Sequence, residues 1–117
     1  MNGHKREHKQ FFQQMPPAKQ QEYLQQLKLD YRQILLNYFV ADIILKKKID
    51  SFINTAFYTN IPVTHIIEIH MDLIEEFSNK LKIEGRSDEM LLDYRLTLID
   101  ILAHLCEMYR SYHHKQF

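Results

Sequence analysis

The chain has 117 residues, enough for one small domain, and its 15 Lys and Arg balance 15 Asp and Glu, which argues against a general nucleic-acid binder. Two Gly, three Pro and no strand-like alternation point to an all-α fold, and a single Cys excludes an intramolecular disulfide and fits a reducing compartment. No apolar run reaches the ~20 residues of a membrane span and no signal-peptide pattern opens the chain, so a cytoplasmic protein with no membrane attachment is expected.

Residues 1–15, MNGHKREHKQFFQQM, are polar and weakly basic, and a disordered tail is expected there. His4 and His8 read as solvated tail residues rather than metal ligands. Pro16-Pro17 marks the first boundary, because Pro suits the first turn of a helix, where its missing N–H is not needed. A helix is predicted from about Ala18 to Phe39. Tyr23, Leu24, Leu27, Tyr31, Ile34, Leu35 and Tyr38 recur at spacings of three and four and form its core stripe.

Val40-Ala41-Asp42 interrupts that pattern, and Asp42 suits the N-cap of a second helix running to about Tyr58. Its inner face is Leu45, Ile49, Phe52, Ile53, Ala56 and Phe57; Lys46-Lys47-Lys48 reads as a solvated basic run. Asn60-Ile61-Pro62 is a turn signal, and a third helix follows, opening at Pro62 or Thr64 and reaching about Ile83. Ile66, Ile67, His70, Leu73, Ile74, Phe77 and Leu81 are its expected inner face, with Glu68, Asp72, Glu75 and Glu76 opposite. His65, Glu68 and His70 do not form a metal set, since His70 points roughly opposite to Glu68 on a helix. His70 is expected to be a hydrogen-bonded core residue.

Gly85 suits the left-handed end of that helix, and Ser87 or Asp88 can cap the last one. Leu91–Arg110, LLDYRLTLIDILAHLCEMYR, contains neither Gly nor Pro. Asp93, Thr97, Asp100, His104, Glu107 and Ser111 fall on one narrow stripe. Leu91, Tyr94, Leu98, Ile101, Leu102, Leu105, Met108 and Tyr109 lie opposite, with Leu92, Ile99, Ala103 and Cys106 on the flanks. The apolar arc is wider than the ~100° a sheltered surface helix needs, which predicts packing against a second subunit, hence a homodimer. Arg95 projects from the apolar side, and the acidic third helix is the expected source of a partner for it. Residues 113–117 are expected to fray.

The expected architecture is a four-helix bundle over residues 16–112, up-down or with helices shared between subunits. No Gly-rich phosphate loop, CxxC or HExxH is present, so no cofactor or metal is implied and folding should not depend on either. Cys106 stands without an adjacent base, so the chain does not read as an enzyme. His104 sits mid-stripe with Asp100 one turn before it and Glu107 one turn after. Two carboxylates there should favour the charged imidazolium.

Three blocks, MPPAKQQEYLQQLKLDYRQILLNYF, KIDSFINTAFYTNIPVTHIIEIHMDLIEEFS and EGRSDEMLLDYRLTLIDILAHLCEMYR, together resemble the C-terminal domain of the KaiA family of cyanobacterial clock proteins. The resemblance covers about Met15 to Arg110, turns and the break at Gly85 included. It implies a homodimeric helical bundle that captures the C-terminal segment of KaiC, stimulates KaiC autophosphorylation without being an enzyme, and is sequestered later by the KaiB–KaiC complex. It also implies that His104, the histidine of HLCEMYR, lies in the partner groove; Asp100 and Glu107 are added as its stripe neighbours, and Lys82 as a further candidate. Full-length members of the family carry a pseudo-receiver domain and linker before this domain, and the resemblance here, which starts at about Met15, leads to the expectation of a short form lacking them. A structural dimerisation or scaffold module with another peptide partner is the alternative reading.

Overall fold

The computed structural model describes residues 11–37, 42–85 and 87–116. Four α-helices follow a 3-10 turn at Phe12–Gln14: α1 (Pro17–Leu36), α2 (Asp42–Tyr58), α3 (Val63–Glu84) and α4 (Ser87–Gln116). No strand occurs among the described residues. Tyr38, Phe39 and the Val40-Ala41 break lie outside them.

Packed structure reaches further into residues 1–15 than the composition suggested. Phe12 is 4% exposed and Met15 6%. Phe12 N–H donates to the carbonyl of Thr59 at 2.7 Å, and Gln20 Nε2 returns a bond to the carbonyl of Phe12 at 2.9 Å. The two apolar side chains in an otherwise polar segment thus staple the start of the fold to the α2–α3 turn. At the other end α4 continues to Gln116, through residues expected to fray.

Pro17 stands in the first turn of α1, where a missing N–H costs nothing. The α2–α3 connection turns on Asn60, whose φ of 56° suits a short polar side chain. Gly85 closes α3 at φ 71°, and its N–H reaches the carbonyl of Lys82 at 3.1 Å, the cap expected from the sequence.

The helices alternate in direction, but their neighbours are not simply consecutive. α1 packs on α2 and α3, and α4 packs on α3 and α2. The packed pairs therefore close a ring in the order α1, α2, α4, α3, with all four helices supplied by one chain. α1 runs parallel to α3: Lys28 faces Asp72 at 3.9 Å and, one turn on, Arg32 Nη1 meets Glu76 Oε1 at 2.7 Å. α3 runs antiparallel to α4. Tyr109 near the end of α4 reaches Asn60 at 3.3 Å, while Phe77 near the end of α3 packs on Tyr94 with ring centroids 5.8 Å apart.

The core is built from the predicted stripes, with three corrections. Leu27, Tyr31, Ile34 and Leu35 of α1, Phe52, Ile53 and Ala56 of α2, and Tyr94, Ile101 and Leu105 of α4 are buried. On α3 the buried set is Ile66, Ile69, His70, Leu73 and Phe77; Ile67 is 38% exposed and Ile69 takes its place inside. The α3 face is rotated because α1 and α4 flank it on two sides, so two neighbours share what one stripe was expected to serve. Thr97, expected on the polar stripe of α4, is 2% exposed and returns its hydroxyl to the carbonyl of Asp93 at 3.4 Å. Arg95 is exposed, its head reaching the edge. Of the carboxylates on the acidic third helix, the expected source of a partner, Asp72 and Glu76 answer Lys28 and Arg32 of α1 instead.

Candidate functional site

α4 presents two outward surfaces. One is apolar: Leu92 is 56% exposed, Leu96 50% and Ile99 60%, and exposed Ala103 and Cys106 continue the same side. At about 100° per residue these positions share one stripe. The sequence had placed Leu92, Ile99, Ala103 and Cys106 on the flanks of a wide apolar arc. The structure leaves all four outside the bundle.

The other surface is polar and carries Asp100, His104 and Glu107, all exposed. His104 Nδ1 lies 2.9 Å from the carbonyl oxygen of Asp100 and 3.5 Å from its Oδ1. Both contacts follow from helical geometry, which stacks residue i over residue i−4. Glu107 does not complete the expected pair of carboxylates around the ring. Arg110, three residues on, holds it with Nη2 at 2.9 Å of Oε2. That contact draws the Glu107 carboxyl below its usual range and raises Arg110. Asp100 alone flanks the imidazole.

Lys82 is exposed in the last turn of α3. Phe77 meets Tyr94, so Lys82 lies toward the start of α4 and His104 toward its end. At a rise of ~1.5 Å per residue the two are separated by about 20 Å along the bundle. Within one chain they do not form a common site.

The other histidines divide as their surroundings dictate. His65 lies 3.6 Å from Glu68 and edge-on to Phe12. His70 points into the core, where the Tyr31 hydroxyl meets its Nδ1 at 2.6 Å. No group of His, Cys, Asp and Glu that could hold a metal ion occurs among the described residues. An open polar recess of about 350 Å³ lies between α1 and α2, lined by Lys19, Tyr23, Gln26, Asp30 and Thr55 among others. It is remote in sequence from the α4 surface and was not singled out by any motif.

The fold and this surface define an all-α four-helix domain whose outward chemistry is concentrated on its last and longest helix. No helix among the described residues is long and apolar enough to cross a membrane. A family model for the KaiA C-terminal domain matches residues 3–115, and the chain belongs to that family of circadian clock proteins. It is 71% identical over 92 residues to the circadian clock oscillator protein KaiA of Nostoc sp. (strain PCC 7120), covering 79% of this chain and 90% of that protein. To the KaiA of Synechococcus elongatus it is 50% identical over 107 residues, covering 92% of this chain but 38% of that longer protein. Two crystal structures show the same fold. The Nostoc protein superposes with a TM-score of 0.67 at 66% identity over 79% of this chain and 93% of the other. The C-terminal domain of Thermosynechococcus elongatus KaiA gives 0.71 at 50% identity over 86% and 94%.

Proposed function

We propose that this domain is a cytoplasmic clock component that binds the C-terminal segment of KaiC and stimulates KaiC autophosphorylation, acting as a homodimer and not as an enzyme. The observation that carries the reading is His104, an exposed imidazole held by Asp100 on the outer stripe of α4, at the position the KaiA resemblance assigns to the partner groove. Family membership supplies the clock context. The unpartnered Leu92, Leu96 and Ile99 supply the surface for the second subunit. Lys82 is kept in the proposal on the resemblance alone. Sequestration by KaiB–KaiC belongs to the same proposal.

The test pairs two measurements. Incubating the protein with KaiC and ATP should accelerate KaiC phosphorylation; no acceleration points to a scaffold with another peptide partner. Calorimetric titration with a synthetic KaiC C-terminal peptide should show His104→Ala weakening binding by about 2 kcal/mol or more, as a hot-spot contact would. Helicity should be unchanged, since exposed substitutions shift stability by under ~0.5 kcal/mol.

A further inference from the structure

One nitrogen of His104 faces two acceptors. Nδ1 lies 2.9 Å from the carbonyl oxygen of Asp100 and 3.5 Å from Asp100 Oδ1. A carbonyl and a carboxylate accept and do not donate, so Nδ1 carries a hydrogen. In the neutral ring Nε2 is then a bare lone pair, because the hydrogen bond at one nitrogen sets the state of the other. Glu107, next on the stripe, is an acceptor engaged by Arg110 and has no proton to give.

We propose that His104 meets its peptide partner as a hydrogen-bond acceptor through Nε2, with Asp100 as the positioning residue that fixes both the ring and its proton. The inference rests on His104 being a partner contact, as argued above, and adds the chemistry of the complementary group. That group is a donor: a backbone N–H, or a hydroxyl, amide or ammonium of the peptide. A carboxylate or a carbonyl at the same place would set lone pair against lone pair. The usual neutral form of a free imidazole, hydrogen on Nε2, would present the opposite polarity. The Asp100 carbonyl, with its carboxylate beside it, therefore decides what kind of peptide group is accepted although neither need touch the peptide.

Two measurements on the intact chain near neutral pH test this. Long-range nitrogen–proton correlation spectra of the free protein should show His104 protonated at Nδ1 and bare at Nε2. Hydrogen at Nε2, or at both nitrogens, overturns the proposal. Asp100→Asn keeps the main-chain carbonyl but swaps the carboxylate for an amide that can donate to Nδ1, and should raise the share of the Nε2–H form; an unchanged share leaves the positioning to the carbonyl and overturns the carboxylate's part in it. The second measurement is titration with the synthetic KaiC C-terminal peptide. Gln can place an oxygen near the Nε2 position and Asn only near Nδ1. His104→Gln should bind within about threefold of the unsubstituted chain and His104→Asn should lose roughly tenfold or more, the loss of about one hydrogen bond. The reverse order overturns the proposal. His104→Ala separates the two levels. If it binds as well as the unsubstituted chain, the contact itself falls, whatever the spectra show. If it fails to bind while Asn serves as well as Gln, the contact stands and the acceptor role falls.

Discussion

The Tyr31 hydroxyl and Nδ1 of His70 are hydrogen-bonded across 2.6 Å, and both side chains are shut away from solvent. Burial raises the Tyr31 phenol above its ordinary range, so it keeps its proton. Burial first, and the Arg95 guanidinium second, hold His70 below the ordinary imidazole range, which favours its neutral form. The bond joins α1 to α3 in the middle of the bundle, and the Phe52 ring of α2 packs edge-on against Tyr31 at 5.5 Å. Three helices meet at one polar pair.

Removing the phenolic hydroxyl should therefore cost more than removing an average one at the surface. Tyr31→Phe keeps the ring contacts and leaves Nδ1 of His70 without a partner, which should lower stability by about 1–3 kcal/mol. Urea denaturation checks this. A loss well under that range would mean that water replaces the phenol.

The same pair makes stability depend on pH. His70 binds a proton less readily folded than unfolded, so the unfolded chain takes up more protons once pH drops below the unfolded imidazole value of about 6.5. Its contribution is fully present above that pH and is lost progressively below it. His70→Asn, which can keep an acceptor near the Nδ1 position but cannot titrate, should show a shallower fall of melting temperature from pH 7 to 5 than the unsubstituted chain. Parallel curves would assign the acid sensitivity to other groups.

Gly85 offers a test of backbone conformation separated from packing. Its φ is +71°, and a Cβ built there would meet nothing within 4 Å. Gly85→Ala should still destabilise by about 1 kcal/mol, because L-residues with a Cβ resist the left-handed region. Gly85→Asn should cost less, since Asn tolerates that region best among the others. Equal melting temperatures for all three would show that the α3–α4 turn rearranges freely.

The apolar outer side of α4 should be covered in solution. Sedimentation equilibrium at micromolar concentration should give the mass of a dimer, since interfaces of this kind resemble a core cut in half. Ile99→Asp, 60% exposed in the single chain, should shift the mass toward the monomer while circular dichroism stays helical. A monomer mass for the unsubstituted chain would remove the second subunit from the proposed function.

Helix existence was legible in the sequence because each apolar stripe matches a period of 3.6, and the boundaries at Pro16-Pro17, Pro62 and Gly85 carry Pro or Gly while Val40-Ala41-Asp42 offers only a cap residue. The register of faces was less so. Ile67 and Ile69 have equal hydrophobicity, and only the positions of α1 and α4 decide which turns inward. Thr97 looked polar but buries its hydroxyl against its own helix, a bond that periodicity does not see. Phe12 and Met15 were hidden in a polar context, because their burial depends on an α2–α3 turn more than 40 residues away. On the candidate surface, the neighbourhood of His104 and Asp100 followed from i and i+4 spacing. The diversion of Glu107 to Arg110 required weighing two competing partners, and the sequence reading weighed one.

The charged seam between α1 and α3 repeats itself. Lys28 and Arg32 are four residues apart, as are Glu68, Asp72 and Glu76. Sliding α1 by one turn, about 5.4 Å, would seat Arg32 against Asp72 and Lys28 against Glu68, with cations again meeting carboxylates. A ruler whose marks are all alike measures nothing: the outer ion pairs attract the two helices without saying where they should stop. The buried phenol and imidazole have no second match after such a slide, since Tyr31 would then face Ile66 and Leu35 would face His70. The alignment of two parallel helices is thus keyed by one neutral hydrogen bond inside the bundle, while the more conspicuous charges outside are indifferent to it.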